Sequence, residues 1–421
     1  MRDAIYAPVK PVHVLHVLEA TGGGTMRYME NIAEATAGIN MVFGFAYGVS
    51  RADSKLAPFL DRIKKSGWQM FPVDMRREIN LASDFLALRQ LRKVIKEFSP
   101  DILHCHSSKA GALGRVAGAL QSARPLRLYS PHALAAPLGS KYLRIEKFLS
   151  RYTERFIAVS RSERQEIIDF SLRKPEFVDV IYPSIDFEHF KPASKTEARL
   201  NLGLGSHPIV LAIGRVTPQK DPESFIAIMK RLHAKRPDAR GIWVGSGDAG
   251  KEFLDLVDAA GLGGVISVVA WQHDVRDYIA AADVFLSTST FESFGYVTAE
   301  SLAMHLPVVA SNVTGTRDVM RDELREWLYK RGDHEHAADL IVRLLDDPDN
   351  GHEVAVRGRE IMVKSFNTER MRESLIESYS SALNNAGRKL TIPAFNAVTA
   401  SVEFAGGGRP HGDLSVSADK G

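Results

Sequence analysis

DVFLSTSTFESFGYVTAESLAMHLPVVASNVTGTR, residues 283–317, reads as an apolar strand, a polar Ser/Thr loop, a Gly at a helix start, a helix, and a second strand closing on a Gly turn. Two carboxylates, Glu292 and Glu300, bracket the helix start with seven residues between them. The backbone N–H groups around Phe294, Gly295, Tyr296 and Val297 have no acceptor inside the helix. Together with the helix dipole they form an anion site suited to phosphate. Carboxylates on both sides of a phosphate would repel it. Their presence makes sense if they hold the uncharged parts of the same ligand, its sugar hydroxyls.

The same alternation extends in both directions. Towards the C-terminus, strands are expected at 209–213, 241–244, 265–269, 284–286 and 308–310, with helices between them and at 334–345 and 368–383. Towards the N-terminus, strands are expected at 12–18, 41–46, 68–71, 102–105, 126–129, 156–159 and 178–181, with helices including 85–98 and 109–120. Ser160 with Glu163 forms a capping-box signature. Such alternation calls for parallel sheets covered on both faces. The run 186–208 breaks the pattern with Pro, Gly, Ser and charge, and it marks the boundary between two doubly wound α/β domains. The expected division is 1–190, a connector at 191–207, and 208–388, with the last helix packing back on the first domain. Residues 389–421, lacking an apolar period, are expected to be a disordered tail. Tandem domains of this kind place a ligand crevice between the carboxyl ends of two sheets.

At 421 residues the chain is long for one domain, and 45% hydrophobic with 25% charged residues suffices for a full core. A single cysteine, Cys105, excludes an internal disulfide. With no signal-peptide core in MRDAIYAPVK and no membrane-span window, a cytoplasmic location is expected. Residues 1–195 carry 29 Lys and Arg against 20 Asp and Glu, so an anionic partner for the first half is one reading and a solvated basic surface the other. Nucleic acid is not expected, because the positive charge lacks interleaved aromatic platforms.

Gly22-Gly23-Gly24 after the first strand lets a backbone approach a phosphate or sugar closely, but its spacing is not that of the dinucleotide fingerprint. In SPDILHCHSSKAGALGRVAG, residues 99–118, His104 and His106 lie on one face of a strand end, with Cys105 between them. A metal would need further ligands that the sequence does not supply, so a polar histidine at the crevice mouth is preferred. His132 ends another strand in YSPHA. Arg215 and Lys220, in IGRVTPQKDPESF, open the second domain with a planar fork and a mobile point charge, a pair suited to a diphosphate. Gly245-Ser246-Gly247-Asp248 lies on the same edge.

This ordered set resembles the GT-B retaining glycosyltransferases of family 4 over nearly everything from Val12 to about Leu383. The most specific element is the Glu-x7-Glu segment with FESFG, the LPVVAS strand and the Gly315 turn; SSKAGALGR and IGR-x4-K support it. The resemblance implies that Arg215 and Lys220 hold the donor pyrophosphate, Glu292 the donor-sugar hydroxyls and Glu300 the ribose. It implies phosphate contacts from the amides of Phe294 to Val297 and places His106, and with it His132, near the donor sugar. Gly23, Gly24, Gly214 and Gly245 fall at the donor-binding edge. The leaving phosphate would act as base, with no protein nucleophile and no metal. The donor would be a nucleotide-diphosphate sugar, UDP ahead of GDP, and the acceptor a saccharide or polyprenyl-diphosphate-linked saccharide of exopolysaccharide, capsule or lipopolysaccharide assembly. Peripheral contact with the inner membrane face is expected through SKYLRIEKFLSRYTERF, where Lys141, Arg144, Lys147, Arg151 and Arg155 alternate with Leu143, Phe148, Leu149 and Tyr152; an amphipathic helix packed on its sheet is the other reading. A nucleotide-sugar 2-epimerase, or a non-catalytic sugar-binding relative, is the alternative function. Three positions depart from the family pattern. Ser293 stands where Gly is frequent, His305 where a Gly commonly precedes Leu-Pro, and Asp318 where Glu is commoner.

Overall fold

The computed structural model describes residues 10–20, 22–50, 56–134, 139–245 and 247–388. The segment expected as a disordered tail, and Ser246, lie outside them.

Seven parallel strands form the first sheet: β1 (Val12–Leu18), β2 (Met41–Gly48), β3 (Gln69–Val73), β4 (Ile102–His106), β5 (Leu126–Ser130), β6 (Arg155–Ala158) and β7 (Val178–Val180), in the order β3-β2-β1-β4-β5-β6-β7. Six more form the second: β8 (Ile209–Ile213), β9 (Arg240–Val244), β10 (Ile266–Val269), β11 (Val284–Ser287), β12 (Val308–Ser311) and β13 (Leu328–Tyr329), in the order β10-β9-β8-β11-β12-β13. Every pairing is parallel. The molecule therefore consists of two doubly wound α/β domains, as the alternation of strands and helices predicts.

The strands are near-continuous apolar runs because both sheet faces are covered. Along β1, Val12, Val14 and Leu18 enter one core while Leu15 and Val17 enter the other. The helix Thr368–Asn385 completes the first of these cores with Met371, Leu375, Tyr379 and Leu383. The second sheet has a single large core containing Trp243, Phe285 and Trp327.

Glycine spacing in SSKAGALGRVAG is explained by packing. On the helix Ser108–Ala119, a Cβ at Gly111 would stand 2.2 Å from the Tyr129 ring, and one at Gly114 would stand 2.4 Å from the Cys105 Sγ. The helix lies so close to β4 and β5 that only glycine fits at these positions.

The short strand β13 and two helices differ from expectation. The connector contains a helix, Lys195–Leu202, whose N-cap Ser194 accepts from the Glu197 amide and whose C-cap Gly203 is left-handed. Arg199 Nη2 fastens it to Asp283 Oδ2 at 2.8 Å. The helix Pro348–Ser365, for which no element was expected, begins at an Asp347 cap with Pro in its first turn.

Candidate functional site

Strand order reverses between β1 and β4 and again between β8 and β11, so each domain has its crevice at the carboxyl ends of those strands. In the second domain the loop after β8 is zipped onto the loop after β11. Thr288 Oγ1 donates to the Lys220 carbonyl at 2.6 Å, and the Thr290 amide donates to the Gln219 carbonyl at 2.7 Å. That pairing brings Lys220 Nζ to 2.5 Å from Glu292 Oε1, which also accepts from Ser289 Oγ at 2.7 Å. Lys220, Glu292, Ser289, Gly295 and Val297 line one small recess floored by Trp243.

The loop carrying Glu292 is held from two sides. Phe294 is buried against Phe366 and Tyr296, with ring centroids 5.1 and 5.3 Å away. Gly315, at φ +78°, lies under the loop so closely that a Cβ there would stand 2.5 Å from the Glu292 carbonyl oxygen. Gly214 and Gly245 buttress Lys220: a Cβ on Gly214 would meet the lysine stem at 3.1 Å, and one on Gly245 would meet the Gly214 oxygen at 3.0 Å. Arg215 is exposed and makes no ion pair among the described residues.

The helix Tyr296–Ala303 starts at Gly295, φ +97°, and its first turn faces the first domain. Gly23 caps the helix Gly24–Ala35 at φ +67°, and a Cβ on Gly24 would lie 3.6 Å from the Tyr296 ring. Tyr296 donates its hydroxyl to Asn31 Oδ1 at 3.0 Å. Arg27, between the rings of Phe190 and Tyr296, pairs with the buried Glu300. Burial raises the Glu300 carboxyl, while Arg27 and Lys220 pull it down. Arg27 was not singled out in the sequence, although it lies in the first turn of the helix that the glycine loop opens.

His106 and His132 stand on the first domain's edge. His106 is fully buried; its Nδ1 lies 3.0 Å from His132 Nε2 and its Nε2 lies 3.0 Å from His16 Nδ1. It therefore reaches the cleft through His132, which is only partly buried. Ring nitrogens of His16, His104 and His106 lie within 4.8 Å of one another. Both nitrogens of His104 are bonded, to Tyr379 and Ser130, and both of His106 are bonded to imidazoles. The arrangement is a hydrogen-bonded array. Cys105 faces away toward Gly114, and burial pushes its thiol up to about 12.

Ser160 Oγ caps its helix by accepting from the Glu163 amide, while the Glu163 carboxylate turns to the chain before the helix. It accepts from the Ala133 amide and the Val159 amide, both at 2.8 Å, and so holds the left-handed His132–Ala133 backbone. Burial raises its carboxyl to about 7. Asp318, from the second domain, accepts from the Arg161 and Ser162 amides at 2.8 and 3.0 Å and caps the helix Arg161–Asp169 of the first.

The family model for Glycosyl transferases group 1 matches residues 194–361, and that for Glycosyltransferase Family 4 matches residues 23–189. A UDP-Gal:alpha-D-GlcNAc-diphosphoundecaprenol alpha-1,3-galactosyltransferase of Escherichia coli is 28% identical over 302 residues, 69% of this chain and 78% of that protein. The capsular polysaccharide biosynthesis glycosyltransferase CapM of Staphylococcus aureus is 26% identical over 329 residues, 75% of this chain and 86% of the relative. Among solved structures, Anabaena HepE in complex with UDP and glucose matches with a TM-score of 0.75 at 21% identity, covering 88% of this chain and 100% of that one, a likeness of fold.

Proposed function

This chain belongs to the Glycosyl transferases group 1 family, and from that premise we propose that it moves a hexose or N-acetylhexosamine from a nucleotide-diphosphate sugar to a saccharide acceptor, with retention at the anomeric carbon. The observation that carries this reading is the convergence of Lys220, Glu292, Ser289 and the helix start at Gly295–Val297 on one recess, opposite Gly23 and Gly24. Lys220, Arg215 and the first-turn amides supply positive charge where a pyrophosphate leaves, the kind of preorganised stabilisation that dominates such reactions. Glu292, already positioned by Ser289, takes donor-sugar hydroxyls. Glu300 takes the ribose once Arg27 swings off it. The leaving phosphate serves as base for the acceptor hydroxyl on the same face.

The Escherichia coli relative is named for UDP-galactose and a diphosphoundecaprenol-linked acceptor, which supports a UDP-sugar and a lipid-linked saccharide here. A peripheral position at the inner membrane face fits that acceptor. No helix among the described residues is long and apolar enough to cross a membrane. The helix Ser140–Leu149 presents exposed Tyr142, Ile145 and Phe148 beside Lys141, Arg144 and Lys147. Leu149 and Arg155 drop out of that surface: Leu149 is buried, and Arg155 lies in β6 paired with Asp179. Incubation with UDP-hexoses and a polyprenyl-diphosphate saccharide, with NMR of the product, tests the proposal. An α-linked product from an α-linked donor supports it, and an inverted linkage or an epimerised donor without transfer refutes it.

A further inference from the structure

Three imidazoles run in line from the interior of the first sheet to the cleft. His16 Nδ1 lies 3.0 Å from His106 Nε2, and His106 Nδ1 lies 3.0 Å from His132 Nε2. Burial pushes His16 and His132 down to about 3 and His106 well below its ordinary value, so all three are neutral near pH 7. A neutral imidazole carries one N–H, and each nitrogen–nitrogen contact holds one hydrogen. The array therefore has two states, with every hydrogen pointing toward the cleft or every hydrogen pointing away from it.

The inner end decides between them. His16 Nε2 is buried and has no hydrogen-bond partner among the described residues. The His16 ring stacks on Trp68 at 23° and on Phe43 at 28°, so an in-plane N–H could not aim at the face of either ring. Buried N–H groups with no acceptor are rare in folded proteins, and acceptors left short of a donor somewhat less so. His16 Nε2 is thus the bare lone pair and the hydrogen sits on Nδ1. His104, the fourth ring of the cluster, bonds only hydroxyls, which turn to suit either state.

We propose that His16, His106 and His132 form a polarised hydrogen-bond array whose direction is fixed by the unpartnered buried end of His16, and that it presents His132 to the cleft as an Nδ1–H donor. All three residues are then Nδ1–H tautomers, the reverse of the preference of the free histidine side chain. His16 and His106 are positioning residues: they touch no ligand and fix what His132 can bind, namely an oxygen acceptor, a hydroxyl or phosphate oxygen. Glu163, by holding the Ala133 amide, keeps the ring aimed. That the acceptor belongs to a nucleotide sugar rests on the function proposed above; the tautomers do not.

The test begins with the ligand-free protein carrying 15N in its histidine rings. Two-bond proton–nitrogen correlation spectra at pH 7.5 should place Nδ1 of all three residues in the protonated, pyrrole-like range and Nε2 in the pyridine-like range. An Nε2–H tautomer at His132 overturns the proposal. Transfer assays test the consequence. His106→Leu, which removes the hydrogen that fixes His132, should lower kcat/KM by about tenfold, the worth of one hydrogen bond. His106→Asn places an amide N–H where Nδ1 was and should restore it to within about twofold. Equal loss in both variants, or no loss in His106→Leu, overturns the positioning role. Failure of the glycosyl-transfer reading is separable, since the tautomers would remain while no variant, nor the parent protein, turned over.

Discussion

Replacing His16 with Phe should change the pH dependence of stability by as much as its value at neutral pH. At pH 7.5 the variant keeps a ring packed against Trp68 and Phe43 but loses the hydrogen bond to His106 and leaves that residue's Nε2 in a dry pocket, a cost of about 2 kcal/mol. The folded-state value for His16 is about 3, against an unfolded value near 6.5. A depressed folded value means that the stability contributed is present above the unfolded value and is lost as pH falls toward the folded one. The slope is about 1.4 kcal/mol per pH unit below roughly pH 6.5. By pH 5 the parent protein has lost about 2 kcal/mol through this residue alone, a loss the Phe variant does not suffer. His104, His106 and His132 act in the same sense, and Glu163, whose value is raised, acts in the opposite sense. These act in both proteins and largely cancel in the difference. Urea unfolding from pH 8 to pH 5 should therefore give two curves that converge near pH 5. Parallel curves would show that His16 is not a buried neutral imidazole.

Three further substitutions test the scaffold. Glu146→Ala leaves the fully buried Arg115 guanidinium, now 3.1 Å from a carboxylate oxygen, without its counter-charge, and should cost about 3–5 kcal/mol in urea unfolding; a cost under 1 kcal/mol would contradict the pairing. His305→Gly should raise stability by about 1 kcal/mol, because His305 ends its helix at φ +60°, where a side chain is strained. Unchanged or lower stability would show that its ring makes compensating contacts. Gly315→Ala must push the Glu292 loop away, and should raise KM for the donor far more than it alters the far-ultraviolet spectrum; wild-type kinetics would remove Gly315 from the site's support.

Strand positions were legible because both-faced burial leaves continuous β-branched runs: 12–18 and 209–213 coincide with β1 and β8 residue for residue. The missed strand β13 has only two residues, Leu328 and Tyr329, too few to show a period. The helix at Lys195–Leu202 was masked by surrounding Pro, Gly and charge, although Ser194, Glu197 and Gly203 spell its caps. At the site, the residues that carry charge or a Gly turn could be picked out locally. Contacts between distant parts of the chain could not: Arg27 meets Glu300, and Asp318 caps the helix at Arg161, only because the two sheets face each other. His16 was hidden within an apolar strand. Pairing β1 with β4 sets it opposite His104, and that register is a tertiary fact.

The central claim is that Lys220 and Glu292, 2.5 Å apart, form the donor end of a glycosyl-transfer site. Acceptor-dependent release of nucleoside diphosphate, measured for the parent protein and for Lys220→Ala, tests it most directly. Loss of a preorganised charge aimed at the leaving group should lower turnover by about a hundredfold or more. Undiminished release from Lys220→Ala would contradict the account.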